Sequence, residues 1–121
     1  MSLFLWILQI VLALLFMGIG GQRLTSSAQQ LRRLPWTDEY PPAAIRALGA
    51  VEILAGLGLL LPGLLDWPPL LTPAAAAGLV LLMALAVALH LHRGQRQAAV
   101  LPAILLVMAA VVVWGRLTQL L

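Results

Sequence analysis

The stretch Ala43–Leu65 reads AAIRALGAVEILAGLGLLLPGLL, and its only charged residues are Arg46 and Glu52. An α-helix needs roughly 20 predominantly apolar residues to cross a ~30 Å hydrocarbon core, and this stretch is long enough. It lacks the two-residue alternation that marks the strands of a membrane barrel. The stretch therefore predicts a transmembrane helix that carries a glutamate inside the membrane.

Three more apolar segments surround this one: Ser2–Gly20, Pro73–His92 and Ala98–Leu121. Lipid cannot hydrogen-bond to backbone groups, so segments of this kind satisfy them internally as helices. The pair Pro62-Gly63 predicts that the second helix kinks or ends there. We thus expect a single domain, residues 1–121, that is an all-α membrane protein with a four-transmembrane-helix bundle.

The composition supports a membrane protein. Only 9% of the residues are charged and 63% are hydrophobic, and the mean hydropathy is +1.05. Soluble domains carry about 25% charged residues. The net charge of +3 rests on seven arginines, five of which lie between the apolar segments, and this distribution indicates membrane topology and no nucleic-acid partner. The absence of cysteine excludes thiol catalysis, disulfides and thiolate metal ligands from this chain.

The longest polar segment, Gly21–Pro42, separates the first two helices. Part of it, about Ser26–Leu34, predicts a short helix that lies in the membrane interface. Its apolar anchors would be Leu31, Leu34, Trp36 and Tyr40, with Arg32 and Arg33 toward the headgroups. The first apolar segment is expected to remain as a helix and not to be cleaved, because no positive residue precedes it.

The arginines also predict the orientation of the chain. Five of them lie in the first and third loops: Arg23, Arg32, Arg33, Arg93 and Arg96. Cytoplasmic loops carry an excess of such residues, so both loops are expected in the cytoplasm and both termini outside.

Glu52 is the most informative single residue. An ionised acid near the bilayer centre costs about 2.5–3.5 kcal/mol on insertion scales, so Glu52 is either neutral or met by a donor from another helix. The candidates are Gln9, Arg23, His90 and Arg116. Gly49 and Gly56 lie on the same helical face, where small residues let a neighbouring helix approach. Two interpretations stay open: a group that handles protons or contacts a substrate, or a buried hydrogen bond that fixes helix packing.

His90 and His92 stand about 200° apart on a helix, so they cannot chelate one metal ion together, and no metal site is predicted. His90 is interpreted either as a proton donor or as a cap for the last carbonyls of its helix. Arg46, at the end of the second helix, is expected to extend toward headgroups, with a pocket contact as the alternative.

The order of several segments is familiar: LLFMGIGGQRLT, RALGAVEILAGLGLLLP, a helix that begins with TP and ends in HLHRG, and a closing WGRL. It resembles the DoxX-like family of small four-helix membrane proteins over nearly the whole chain. The matching positions are Gly20, Arg23, Arg46, Gly49, Glu52, His90, Arg93, Gly94, Gly115 and Arg116. The family often has glutamate where this chain has Gln95, which puts a role for an acid at that turn in doubt.

The resemblance implies a redox-associated protein of the bacterial cytoplasmic membrane, since the family name comes from a subunit linked to a thiosulfate:quinone oxidoreductase system. The first hypothesis is therefore a membrane subunit or small enzyme that handles a lipid-soluble substrate such as a quinone. Its candidate catalytic residues are Glu52 and His90, and its candidate substrate-binding residues are Arg23, Arg46, Gly49, Arg93 and Gln9.

No residue set suited to holding haem, flavin or an iron–sulfur cluster is visible, so the expected bound molecule, if any, is a quinone or lipid. A membrane or redox partner protein and a homodimer are the expected partners besides the bilayer. Whether the chain is an enzyme stays open. Two alternatives remain: a non-catalytic assembly protein whose polar residues only orient helices, and a small-molecule/proton transporter, which would need a dimer to form a pathway.

Overall fold

Four long helices form the protein in a computed structural model, which describes residues 2–27, 29 and 41–121. The helices are α1 (Ser2–Thr25), α2 (Pro42–Leu64), α3 (Leu71–His92) and α4 (Val100–Leu120). All four are long and apolar enough to cross a membrane. The predicted all-α bundle of four transmembrane helices is confirmed.

The ends of the helices differ from the prediction by a few residues. α1 continues beyond Gly20 to Thr25, through residues where hydropathy no longer indicates whether the helix goes on. At its end the hydroxyls of Thr25 and Ser26 donate to carbonyls one turn earlier, at 2.8 and 2.5 Å. Pro62 does not end α2, which runs on to Leu64.

The interfacial helix predicted over Ser26–Leu34 is not supported. Its first residues, Ser26 and Ser27, are not helical. The remainder falls almost wholly outside the described residues, as do the proposed anchors and arginines between positions 31 and 40.

The helices form a ring in which each contacts its neighbours along the chain, and α1 contacts α4 to close it. The connections from α2 to α3 and from α3 to α4 are short, so these neighbours run antiparallel. Phe16, Leu59, Leu79 and Val112, one from each helix, are fully buried in the centre. Large apolar side chains elsewhere are exposed: Leu14, Leu54, Leu81 and Val107 are each at least 60% exposed, as suits a surface in contact with lipid.

Small residues bring α1 and α2 together. Gly49, Glu52 and Gly56 all lie on the buried face of α2, as the sequence predicts. A Cβ added at Gly49 would lie 2.7 Å from the carbonyl oxygen of Gly20, and one added at Gly56 would lie 3.2 Å from that of Ala13. The two backbones are therefore close enough that a side chain at Gly20 or Gly49 would meet backbone atoms.

Candidate functional site

A buried ion pair joins α1 to α2. Arg23 donates through Nη1 to Glu52 Oε1. The Glu52 side chain is 2% exposed and that of Arg23 is 21% exposed. A Cβ at Gly49 would lie 3.0 Å from Arg23 Cβ, and Glu52 lies about one helical turn farther into α2. The guanidinium of Arg23 thus extends into the bundle, away from the end of α1.

Arg23 is the residue that pairs with Glu52. The sequence offered four candidates, and α1 brings this one into contact because the helix continues past its predicted end at Gly20. Gln9 and Arg116 bond to each other instead, at the opposite end of the bundle. His90 lies in another wall of the cavity that Glu52 borders.

That cavity, here called the Glu52 cavity, has a volume of about 530 Å³ and lies at the end of the bundle where α1 ends and α2 begins. All four helices contribute to its walls, which are mostly apolar, with Phe16, Leu48, Met83 and Leu105 among the lining residues. Its polar lining consists of Arg23, Glu52, His90, His92 and Arg93. Ligand pockets in proteins commonly enclose about 300–1,000 Å³, with apolar walls and a few polar groups that fix orientation.

The end of α3 holds His90 in place. Gly94 has a φ of 73°, which allows its N–H to bond to the Leu91 carbonyl at 3.1 Å and the N–H of Gln95 to bond to the His90 carbonyl at 2.8 Å. This pair of bonds is a Schellman motif. It also brings Gln95 Oε1 to 2.9 Å from His90 Nδ1. With that oxygen as acceptor, Nδ1 donates, and Nε2 is then the acceptor of a neutral ring.

The predicted site residues divide into three groups. Arg23, Glu52, His90 and Arg93 line one cavity. Arg46 and Gly49 are nearby but do not line it: Arg46 donates through Nη2 to the Ser26 carbonyl at 3.3 Å, and Gly49 packs on Gly20.

Gln9 forms the third group alone, since it lies at the far end, where its Nε2 donates to the Leu59 carbonyl at 2.6 Å. Conversely, the exposed His92 lines the cavity, although it is not among the site residues predicted from the sequence. Its position in the last turn of α3, beside Arg93, was the available signal.

Within residues 2–27 and 41–121, no three histidine, aspartate or glutamate side chains lie close enough together to hold a metal ion. The polar groups that line the Glu52 cavity are side chains that form hydrogen bonds and exchange protons. A carboxylate, a guanidinium and an imidazole around an apolar space suit a small, largely apolar ligand with polar oxygen atoms.

Comparison with known proteins agrees with this architecture. The model of the DoxX-like family matches residues 7–112, which include parts or all of each helix and the residues of the Glu52 cavity. No curated protein and no solved structure matches the chain significantly. Because the family match covers most of the sequence, the chain belongs to the DoxX-like family.

Proposed function

We propose that this DoxX-like membrane protein binds a lipid-soluble molecule such as a quinone in the Glu52 cavity. It would act there as a redox-associated subunit or a small enzyme. The observation that carries the proposal is the buried Arg23–Glu52 pair at the border of an apolar cavity of about 530 Å³. An ion pair that served packing alone would not need to border a cavity of this size.

The polar groups of the cavity suit the oxygen atoms of a quinone. Arg23 can donate a hydrogen bond to a carbonyl oxygen, His90 Nε2 can accept one from a ring hydroxyl, and Glu52 can exchange protons with that hydroxyl. Reduction of a quinone consumes protons as well as electrons. In this proposal the chain supplies hydrogen bonds and protons, and a partner redox protein supplies the electrons.

The proposal also includes the membrane in which the protein lies and its orientation there. We infer a bacterial cytoplasmic membrane from the family resemblance and cytoplasmic loops between α1 and α2 and between α3 and α4 from the arginine distribution. The Glu52 cavity would then open near the cytoplasmic surface. A redox partner and a homodimer remain predictions.

The test is mass spectrometry of small molecules released from gently purified protein, followed by titration with a short-chain quinone. Glu52→Gln keeps the size of the side chain and an acceptor for Arg23, so it should still fold with some loss of stability. It should lose about tenfold or more in affinity, because hydrogen bonds to charged groups contribute about 1.5–3 kcal/mol. Asp66→Asn is the matched control, since it makes the same acid-to-amide change in the turn between α2 and α3.

A second variant separates binding from packing. Ala86 lines the cavity and has no part in the ion pair, so Ala86→Phe should block the ligand without breaking Arg23–Glu52. Unchanged quinone affinity in both Glu52→Gln and Ala86→Phe would refute the proposal.

A non-catalytic assembly role is the second candidate, and one observation favours it. Arg23 and Glu52 belong to the two helices that approach most closely, beside Gly20 and Gly49. On this hypothesis the pair only holds α1 against α2. Glu52→Gln would then leave small-molecule content unchanged, and a partner protein would be recovered with the chain.

A further inference from the structure

A second polar cluster lies at the end of the bundle opposite the Glu52 cavity. Its centre is Arg116 on α4, whose Nε donates to Gln9 Oε1 at 2.5 Å and whose Nη1 donates to Gln119 Oε1 at 2.8 Å. The guanidinium carbon also lies 5.5 Å from the centre of the Trp6 ring. Every one of these partners is a neutral group.

The charge of Arg116 is therefore uncompensated. A guanidinium is a permanent cation, and no carboxylate among the described residues lies within ion-pair distance of it. Its buried Nη2 has no hydrogen-bond partner in the part of the chain that the structure describes. A buried cationic group without a counter-charge is costly, so an anion beside the guanidinium would stabilise this arrangement.

A cavity of about 290 Å³ adjoins the cluster. We call it the Arg116 pocket, and its lining residues include Trp6, Gln9, Thr72, Arg116 and Gln119. The Thr72 hydroxyl and the Trp6 indole N–H make no hydrogen bond within residues 2–27 and 41–121. Thr72 also belongs to the first turn of α3, where the helix dipole favours negative charge.

Together these features suit the binding of an anion. The pocket combines a cation, unused hydroxyl and indole donors and a helix N-terminus, and none of its lining residues is acidic. Arg116 and Trp6 are each within two helical turns of an end of their helices, which is near the level of the lipid headgroups. We propose that the Arg116 pocket binds the phosphate group of a membrane phospholipid, in the leaflet opposite the one beside the Glu52 cavity.

The chemistry of the proposal is recognition of an oxyanion by charge-assisted hydrogen bonds. Arginine binds phosphate with parallel N–H donors, and Gln9 fixes the guanidinium through Nε. Gln9 is itself fixed by its bond to the Leu59 carbonyl, one turn before Pro62. The acyl chains of the lipid would lie along the exposed apolar surface of the bundle.

The experiment uses delipidated full-length protein in a non-ionic detergent and measures thermal stabilisation and native mass spectra. The additives are phosphatidylglycerol, diacylglycerol with the same acyl chains, and inorganic phosphate. Phosphatidylglycerol should raise the melting temperature and remain bound, whereas diacylglycerol and inorganic phosphate should have little effect. Equal effects of diacylglycerol would show that the phosphate is not recognised, and equal effects of inorganic phosphate would overturn the assignment to a lipid.

Variants test which residues bind phosphatidylglycerol. Arg116→Met should weaken phosphatidylglycerol binding about tenfold or more, and Arg116→Lys should restore part of it. Arg96→Met, which removes an exposed arginine from the turn between α3 and α4, is the matched control. Thr72→Val keeps the shape of its side chain and should give a smaller loss, so it tests the site even if Arg116→Met fails to fold. Wild-type affinity in both Arg116→Met and Thr72→Val would refute the proposal.

Discussion

At the scale of single residues, Glu52 and Arg23 bring opposite charges together at a depth where the bilayer would destabilise either charge alone. Glu52 is buried, and Arg23 is the cation that pairs with it. Removing one member of a buried pair leaves an uncompensated charge, whereas replacing both by apolar groups can be nearly neutral. The pair is thus stable as a unit, and its two members should not contribute independently.

We expect Arg23→Met to lower the free energy of unfolding by about 3 kcal/mol, because Glu52 then lacks its cation. The double variant Arg23→Met/Glu52→Leu should recover most of that loss. Thermal melting of the wild type, both single variants and the double variant in one detergent measures the coupling. Additive losses in the double variant would contradict a coupled pair, since independent sites add.

The importance of Glu52 could be predicted from the sequence, but the identity of its partner could not. The cost of a charge in lipid follows from composition and helix length alone, so the need for a partner was predictable. The choice among Gln9, Arg23, His90 and Arg116 depends on how each helix is rotated and where α1 ends. Gln9 and Arg116 could have been excluded, since an antiparallel bundle places both at the far end from the start of α2.

At the scale of elements, the contact between α1 and α2 depends on glycine. A Cβ at Gly49 would meet the Gly20 carbonyl and the stem of Arg23, whereas one at Gly18 or Gly21 would have nothing within 4 Å. Contacts between membrane helices rest on close packing of small residues, since lipid tails are as apolar as the side chains. The glycines therefore determine both the helix spacing and the position of Arg23.

Gly20→Ala and Gly49→Ala should each destabilise the protein by about 1–3 kcal/mol, because the added methyl group must displace backbone atoms. Gly18→Ala and Gly21→Ala provide matched controls, and their gain in helix propensity should make them neutral or stabilising by up to about 1 kcal/mol. Unfolding in graded denaturing detergent measures all four. Equal destabilisation at Gly18 and Gly20 would show that packing against α2 is not the cause.

The C-terminal end of α3 matters for the site because its Schellman bonds hold Gln95 beside His90. Gly94→Ala should cost about 1–2 kcal/mol, since its φ of 73° is unfavourable for a residue with a Cβ. Amide hydrogen exchange at Gln95 should accelerate in the variant. Asp66, at φ 54° after α2, provides the reverse test: Asp66→Gly should preserve or raise stability. An equal loss in both variants would contradict this conformational argument.

At the scale of the whole molecule, hydropathy and length were sufficient to predict four membrane-spanning helices. The limits of prediction were the helix ends and the side-chain partners. α1 continues into the polar segment, where hydropathy is uninformative and the hydroxyls of Thr25 and Ser26 bond to carbonyls at the helix end. The two cavities could not be predicted because each combines residues from distant parts of the sequence, and no periodicity encodes the angle between helices.

The two polar clusters lie at opposite ends of the bundle, so the orientation of the protein in the membrane determines which cluster faces the cytoplasm. Positive-inside bias predicts that the Glu52 end faces the cytoplasm and the Arg116 end faces outward. The chain contains no cysteine, so a single introduced thiol reports on one position without background. In intact bacteria, a membrane-impermeant maleimide should label Trp67→Cys in the turn between α2 and α3. It should label Gln97→Cys, in the turn between α3 and α4, only after lysis. The wild-type chain is the unlabelled control, and the reverse pattern would place Arg116 in the cytoplasmic leaflet and require the orientation to be inverted.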